Sequence, residues 1–585
     1  MELLGVAVAV VAIIALSGYF WRSPDIKRIK SVPPPGAFFT LLDPKDPNSI
    51  VCYDPATGRL LGRVKALSRL EVYQKINEAR EAQRTYAQTS FETRRAILRT
   101  LLDWCVNNQE EIARVACRDS GKTTVDAGFG EVITTLEKLR WTISNGESLL
   151  KPEYRGVGPM TIHKSPRVEY VPVGVMGAIV SWNYPFHNTF GPVITALMCG
   201  NAAVVKCSEW VAWSSQYWER VLRGALEAHG CDPRLVQFIN GFQEAGEAVV
   251  ERCDKVIFIG SPKVGKAVMK HASETLTPVV LELGGKDCAI ICDDADYGQV
   301  VPMVLRGVFQ NCGQNCIGEL LTVARGLSNQ TNHFHTGLER IIAHEKIYDK
   351  LIADLHKTVQ SIRVGAPLEE QVDCGAMTMA TYTAIQPLID DAVQKGARLL
   401  AGGKPYVHPK YPQGQYYTPT LLVDVTPAMD ISQHEVFGPV AVVMKFKTDE
   451  EALSIANSSP FGLGSSVFTL DSRRGERLMK GLRTGMSNVN DFAINYLCQS
   501  LPFGGVGVSG FDRFAGVEGL RGQCWARAMT TDRIPGVRTG IPPPLQYPLK
   551  PTGASFVVAL NDMMYRPSLL GKAKGLYDLI VAALR

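Results

Sequence analysis

Cysteine is sparse in this chain, charge of one sign never accumulates, and no segment repeats at a fixed period. Fourteen cysteines in 585 residues are too thinly spread for a disulfide scaffold, and none stands in the paired CxxC knuckles of a structural zinc site. A reduced, cytosol-facing body is the expectation. His333 and His335 lie two apart in a polar run without a third ligand close by, so solvated loop histidines are expected and a metal is not. The 62 basic and 57 acidic residues give a formal charge of +5 and are mixed along the chain, with no dense Lys/Arg block beyond the N-terminal flank. That balance excludes nucleic acid as the natural partner. The absence of a repeat argues against a solenoid or a propeller. The length exceeds one ordinary core, so two or three lobes are expected.

Long apolar runs are also rare, which makes one of them stand out. Residues 3–21, LLGVAVAVVAIIALSGYFW, are 19 residues without a charge, close to the ~20 that cross a bilayer as helix. Only Met1 and Glu2 precede it, whereas Arg22, Lys27, Arg28 and Lys30 follow. The positive-inside bias then leaves the remaining chain on the cytosolic face. A cleaved secretory signal would need a basic start that is missing here, and Tyr19, Phe20 and Trp21 suit an interfacial belt. The expectation is a single-pass anchor in the endoplasmic reticulum or another endomembrane. Were the body lumenal, the sequons at Asn329 and Asn457 would be open to glycosylation.

The expected layout is an anchor with basic flank over 1–30, a Pro-rich linker over 31–40, a cofactor-binding domain over 41–310 and a catalytic domain over 311–500. A return segment over 501–530 and a C-terminal extension over 531–585 follow. Residues 67–88 and 91–119 carry apolar residues at spacings of three and four, as helices covering a sheet do. From Val168 short Val/Ile/Leu runs alternate with helical segments: VGVMGAIVSW, AAVVK, LVQFI, KVIFIG, VVLEL. That is the rhythm of βαβ units and of a parallel sheet that binds ligands at its strand carboxyl ends. A second such set follows the pair Cys312 and Cys316, so those cysteines sit at the join of two lobes, where clefts form.

Five stretches carry chemistry. In FIGSPKVGK a strand runs into Gly260-Ser261 and a helix start, which suits a phosphate and equally suits a tight turn. In VVKCSE, Lys206 and Glu209 end a strand; the carboxylate there can accept ribose hydroxyls and repel a 2′-phosphate, or the segment is an exposed strand end capped by Ser208. VVLELGGKD puts Glu282 in an apolar strand before two glycines, either as a general base raised by burial or as half of a buried ion pair. In FQNCGQNC, Cys316 can face the cleft as nucleophile, while Cys312, one turn earlier, is expected to pack with Val304 and Val308 on a helix. In SWNYPFHN, Asn183 is held ahead of Pro185 and can donate to an oxyanion, or it caps its own loop.

Taken in this order, the segments resemble the NAD(P)-dependent aldehyde dehydrogenase superfamily over about residues 41–529. The matching residues are Trp182 to Pro185, Lys206 and Glu209, Gly260-Ser261, LELGGK with Glu282, GQNC with Cys316, EVFGP and PFGG. The resemblance implies an α/β fold of two Rossmann-type lobes with oligomerisation elements near 155–173 and after 501. It implies catalytic roles for Cys316, Glu282 and Asn183, and cofactor roles for Trp182, Lys206, Glu209, Gly260, Ser261, Glu435 and Phe437. Asn490 and residues 502–505 would shape the catalytic lobe. NAD is expected over NADP, with an aldehyde substrate that is lipid-derived if the anchor is real, and a homo-oligomer. The N-terminus and the long C-terminal extension look most like a membrane-anchored fungal and plant branch, called meiotic sister-chromatid recombination aldehyde dehydrogenase in fungi.

The chain departs from the family pattern at two places. Residues 319–337 have no counterpart and read as an insertion, either a bulging loop or a retained intron, which threatens the strand behind Cys316. Cys207 replaces a common proline. The insertion keeps a catalytically inactive membrane-tethered scaffold as an alternative, and acyl transfer to coenzyme A is a closer one that Glu282 argues against. Residues 568–584 are amphipathic, with Lys572 and Lys574, and are expected to pack on the body rather than lie on a membrane.

Overall fold

The computed structural model describes residues 42–43, 46–316, 337–492 and 494–585. The expected anchor at 3–21, the linker at 31–40, His333, His335, the Asn329 sequon and nearly all of the insertion lie outside the described residues. Among the described residues no helix is long and apolar enough to cross a membrane. The chain forms two compact units, one built from residues up to 149 and from 172–524, the other from 150–171 and 525–585.

The larger unit holds both expected sheets. In the first, β1 (Val175–Val180), β2 (Ala202–Cys207), β3 (Val236–Ile239), β4 (Lys255–Ile259) and β5 (Val279–Glu282) run parallel in the order β5-β4-β1-β2-β3. The short strand Gly510–Phe511 closes the β5 edge antiparallel. The second sheet takes β6 (Cys288–Ile291), β7 (Arg340–His344), β8 (Arg398–Ala401), β9 (Thr420–Val423), β10 (Val440–Phe446), β11 (Gly464–Phe468) and β12 (Met486–Val489) in the order β8-β9-β10-β7-β6-β11-β12. Only the β8–β9 pair there is antiparallel. Every residue of β2 and of β7 is buried, which is why these strands read as unbroken apolar runs rather than alternating ones.

Strand order reverses between β1 and β4, because the chain steps from β1 to β2 and β3 and then crosses back to β4 and β5. In open parallel sheets such a switch point is where the loops part and a ligand fits. The segments after β1 and β4, with Trp182, Asn183, Gly260 and Ser261, leave the sheet there.

Local chemistry corrects several boundaries. The first long helix is Arg69–Tyr86, started by a capping box between Ser68 and Glu71. The expected helix over 91–119 breaks into Phe91–Asn107 and Gln109–Ser120, because Asn108 takes φ −125° and ψ 25° and its N–H returns to the Cys105 carbonyl. Past the insertion the Leu338 N–H donates to the Gly307 carbonyl at 2.8 Å, and β7 then pairs in unbroken register with β6, Arg340 opposite Cys288. The strand that the insertion threatened therefore keeps its place. At the second sequon the Asn457 amide is committed: Nδ2 donates to the Gly481 carbonyl at 2.8 Å and Oδ1 accepts from the Arg483 N–H at 2.9 Å. Asn457 is consequently a poor reporter of membrane topology.

In the smaller unit, Glu153–Tyr154, Lys164–Pro172 and Cys524–Asp532 form a three-stranded sheet with Lys164–Pro172 in the middle. Lys164 pairs with Asp532 at 2.5 Å and Arg527 with Glu169 at 2.9 Å, so the returning strand is fixed by charge as well as by backbone. Two helices, Gly553–Tyr565 and Leu569–Leu584, complete the unit.

Candidate active site

The helix Tyr297–Phe309 stops well short of Cys316, and the chain then turns sharply. Asn311, Cys312 and Gly313 lie in succession at φ 48°, 54° and 71°, a left-handed run that costs about 1 kcal/mol or more for each residue bearing a Cβ. Glycine is obligatory at its end, since a Cβ on Gly313 would approach the Gly438 carbonyl oxygen to 2.0 Å. Cys312 is therefore not on a helix facing Val304 and Val308. Its thiol donates to the Gly375 carbonyl at 3.1 Å and lies 3.0 Å from the Cys374 sulfur. The neighbouring Cys374 thiol and burial push the Cys312 thiol well above its ordinary pKa. It packs, as expected, but with different partners. Cys316, past the turn, is half-buried at the cavity wall.

Side-chain amides hold this turn in place. Asn311 Nδ2 donates to the carbonyls of Asn183 at 3.2 Å and Gln314 at 3.1 Å. Gln314 Oε1 accepts from the Thr378 N–H at 2.8 Å, and the Tyr184 hydroxyl donates to Asn315 Oδ1. Asn183 does bond within its own loop, its Oδ1 accepting from Ser181 Oγ at 2.7 Å and Asn188 Nδ2 at 3.4 Å, and this turns the NH2 group toward the cysteine loop, where it reaches the Gln314 carbonyl at 3.1 Å. One N–H of the amide is used there.

Two residues that sequence reasoning missed support Asn183 from behind. Lys122 Nζ donates to the Asn183 carbonyl at 2.6 Å and to Glu131 Oε1 at 2.7 Å. Glu131 Oε2 accepts the N–H groups of Phe186 at 3.0 Å and His187 at 2.9 Å. Both charges are wholly buried, so each depends on the other for its solvation. Glu131 reaches inward from a π-helical turn, Gly128–Ile133, in which a Cβ on Gly130 would strike the Tyr184 ring at 2.1 Å. The only trace of this in the sequence is a glycine-flanked glutamate, too weak a signal to identify it.

Glu282 ends β5 and is almost fully buried. Its Oε1 has no hydrogen-bond partner among the described residues. Desolvation pushes the carboxyl up to about 7, while the nearby Cys316 side chain and the Gly284 backbone pull it back. Among the described residues no cation neutralises it, so the ion-pair reading of this residue is not supported. Cys316 and Glu282 line one narrow cavity with Tyr184, His187, Asn188, Ile259, Tyr496, Phe503, Phe514 and Gly130. Tyr496, Phe503 and Phe514 meet edge to face, with centroids 4.5 Å apart for Tyr496–Phe503 and for Phe503–Phe514. Burial and the neighbouring Lys138 and Lys122 hold His187 down to about 3, so it is neutral at physiological pH. No lysine or arginine lines the cavity among the described residues.

The residues expected around a cofactor gather at the switch point. Gly260 and Ser261 follow β4, and Ser261 caps the helix Pro262–Thr275 by accepting from the Val264 N–H at 3.5 Å. Lys206 Nζ lies 3.5 Å from Glu209 Oε2, while Ser208 also caps its own turn by accepting from the Trp210 N–H. The capping expected of Ser208 is present, and it leaves the Glu209 carboxylate beside Lys206 at the strand end. Trp182 and Phe437 stand edge to face with centroids 5.6 Å apart. The Glu435 carboxylate accepts from the Gly285 N–H at 2.9 Å. The glycines after Glu282 make room for Glu435 itself, since a Cβ on Gly284 would lie 2.4 Å from Oε1 of that residue. A further pair went unforeseen: Lys286 Nζ meets Glu339 at 2.6 Å, and Glu339 accepts the N–H groups of Val436 and Phe437, pinning the loop of Glu435. Asn490, at φ 52°, ties the end of β12 to β11 through Thr469.

The site thus sets a cysteine and a buried carboxyl on the wall of one cavity. The sequence profile of the aldehyde dehydrogenase family matches residues 42–527. The chain belongs to the aldehyde dehydrogenase family. The aldehyde dehydrogenase-like protein C21C3 of Schizosaccharomyces pombe is 44% identical over 505 residues, covering 86% of this chain and 93% of its own. The aldehyde dehydrogenase-like protein YHR039C of Saccharomyces cerevisiae is 43% identical over 556 residues, 92% of this chain and 83% of its own. Among solved structures, betaine aldehyde dehydrogenase of Staphylococcus aureus in complex with NAD+ superposes with a TM-score of 0.75 at 26% identity, covering 86% of this chain and 98% of its own. As an aldehyde dehydrogenase the protein is an oxidoreductase that acts on aldehydes, and its family uses NAD(P). The two parallel-sheet lobes described above are those of the aldehyde dehydrogenase fold.

Proposed function

We propose that this aldehyde dehydrogenase oxidises uncharged, apolar aldehydes to free carboxylic acids with NAD, using Cys316 as nucleophile and Glu282 as general base. The observation that carries the reading is the buried Glu282 carboxyl, its Oε1 unpartnered, beside the Cys316 side chain. A carboxyl near 7 is matched to accepting and releasing protons at neutral pH. It takes the Cys316 proton, and the thiolate attacks the aldehyde carbon to form a thiohemiacetal. The second N–H of Asn183 and the backbone N–H of Cys316 hold the oxygen as it gains charge, a donor of this kind being worth about 3 kcal/mol. When bound, NAD supplies the acceptor for the hydride that leaves this carbon. The acyl group then stays on Cys316 as a thioester. Glu282, having passed on the earlier proton, deprotonates a water that attacks it, the acid departs and the thiolate returns. A base so placed favours water over coenzyme A as acyl acceptor.

The residues present fit NAD. Glu209, paired with Lys206 at the end of β2, offers a carboxylate to a ribose diol and repels a 2′-phosphate. Gly260 and the capped helix after it offer a close backbone approach for phosphate. Trp182 and Phe437 would flank the nicotinamide, and Glu435 would take its ribose hydroxyls. The aromatic cavity without a cation supports apolar aldehydes, including lipid-derived ones, and speaks against acidic ones. We further place the body on the cytosolic face of an endomembrane, anchored by residues 3–21, and read the smaller unit's sheet as the site of homo-oligomerisation. The purified full chain should form NADH from medium-chain alkanals and the matching acid, with NADPH formation at least tenfold slower, and Cys316→Ser should form neither. Turnover by Cys316→Ser equal to that of the parent would end this reading.

A further inference from the structure

The C-terminal helix Leu569–Leu584 is apolar on the side that packs and apolar on the side that does not. Its packed side is made of small residues. Gly575 is buried, and a Cβ there would lie 2.3 Å from the Met563 nitrogen of the helix Gly553–Tyr565; Ala582 is buried two turns later on the same face. Small residues let the two helices approach closely but bury little area. The other side carries the large residues: Leu569, Leu570, Leu576, Tyr577, Ile580 and Leu584 are all exposed, three of these leucines by more than four-fifths at 86%, 85% and 82%. At roughly 100° per residue these six fall within one arc of about 120°. Lys572 lies just beyond one edge of the arc and Lys574 just beyond the other, and both are exposed.

A helix that merely stabilised its own hairpin would bury leucines and expose lysines. Here the leucines face out as a contiguous patch, which marks a docking surface, and the lysines border it with their ammonium groups free to turn toward a charged plane. Residues 533–585 hold seven basic side chains against two acidic ones, Asp562 and Asp578, and Asp562 is already engaged by Arg566 at 2.8 Å. A flat, apolar surface with an anionic boundary complements this pattern of charge and greasy side chains better than a folded protein does. We propose that the helical hairpin of residues 553–584 docks onto the surface of an anionic phospholipid bilayer, with the outer arc of Leu569–Leu584 in the interface and Lys572 and Lys574 on the headgroups. This attachment is separate from any anchor at 3–21 and independent of the chemistry at Cys316.

The test uses the full chain carrying Val10→Arg and Ile14→Arg, which removes the spanning capacity of residues 3–21, and follows co-sedimentation with phosphatidylcholine vesicles with and without phosphatidylserine. The expected result is sedimentation with the phosphatidylserine vesicles. Adding Leu569→Glu, Leu576→Glu and Ile580→Glu should lower the partition coefficient by more than about a hundredfold, and Lys572→Gln with Lys574→Gln by about tenfold or more, the latter only on phosphatidylserine vesicles. Circular dichroism should be unchanged and the thermal midpoint little moved in every variant, since Leu569 is 86% exposed and Leu576 and Ile580 keep about half of their surface in solvent. Failure of the background chain to sediment with either vesicle, or equal sedimentation of the Leu/Ile→Glu variant, overturns the proposal. So does sedimentation velocity showing that this variant dissociates an oligomer while vesicle binding persists, which would assign the patch to a second copy of the chain.

Discussion

Replacing Glu282 by Gln should make the protein slower and, above neutral pH, more stable. The carboxyl has an ordinary value of 4.5 and stands at about 7 in the fold. A raised acid means that between those two pH values the folded chain keeps a proton that the unfolded chain has released. Stability therefore falls as pH rises from 4.5 toward 7 and stays low above it. At ~1.4 kcal/mol for each pKa unit the full cost is about 3 kcal/mol, present above pH 7 and nearly absent at pH 4.5. Glutamine cannot ionise and escapes that cost. Whatever else the substitution does to packing is the same at both ends of the range, so the stability difference between variant and parent should grow by about 2 to 3 kcal/mol from about pH 5 to about pH 8.5. Denaturant unfolding of both proteins at the two pH values measures it. In parallel, the parent's kcat should rise with pH through about 7, and the variant should lose that limb with a ~10²- to 10⁴-fold drop in kcat. A stability gap that is the same at both pH values would refute the assignment of the raised proton to Glu282, whatever happened to the rate.

Lys122→Met leaves the Glu131 carboxylate buried without its cation and should cost about 3 to 5 kcal/mol of stability together with kcat. Adding Glu131→Gln should restore most of the thermal midpoint without restoring kcat, because the Asn183 carbonyl still lacks its shorter, charged donor and keeps only Asn311; full recovery of kcat would show that the pair is only structural. Gly313→Ala forces a Cβ to 2.0 Å from the Gly438 carbonyl at φ 71°, and a displacement of even ~1 Å at the nucleophile should lower kcat about a hundredfold with the cofactor KM little changed. Cys312→Ala should keep turnover and Cys316→Ala abolish it, with iodoacetamide modifying Cys316 but not Cys312 in the native chain, as a buried thiol held protonated does not compete.

The βαβ rhythm was readable because strands buried on both faces, such as β2 and β7, leave continuous Val/Ile/Ala segments that no surface element shows. Cys316, Glu282 and Asn183 were readable because each is a reactive or polar group at an abrupt end of such a segment. What went unread were supporting residues whose meaning depends on a partner far along the chain. Lys122 and Glu131 are individually unremarkable in the sequence, and their meaning comes from meeting Asn183 and the start of the helix His187–Cys199. Glu339 stands beside the insertion and was passed over, although it is what fixes Glu435 and Phe437. Cys312 was carried through the turn at helical spacing, when three successive positive φ values end the helical register before it. The C-terminal helix was recognisable as amphipathic, but which side packs is decided by Gly575 and Ala582, and packing by small residues reverses the usual rule that the greasier face goes inward.

Asn183 explains why so much buried polarity converges on one loop. In the proposed reaction its side chain holds an oxyanion that exists only transiently, so nothing in the resting enzyme anchors the amide from the substrate side. The anchoring has to come from behind and from both ends of the residue. Ser181 and Asn188 fix Oδ1, Lys122 and Asn311 fix the backbone carbonyl, and Gln314 takes one N–H. Two of these partners, Asn311 and Gln314, belong to the turn that also carries Cys316, so the spacing between the loop of Asn183 and the loop of Cys316 is set by short hydrogen bonds that run directly from one to the other. That arrangement makes the position of the sulfur depend on the left-handed turn at Asn311, Cys312 and Gly313.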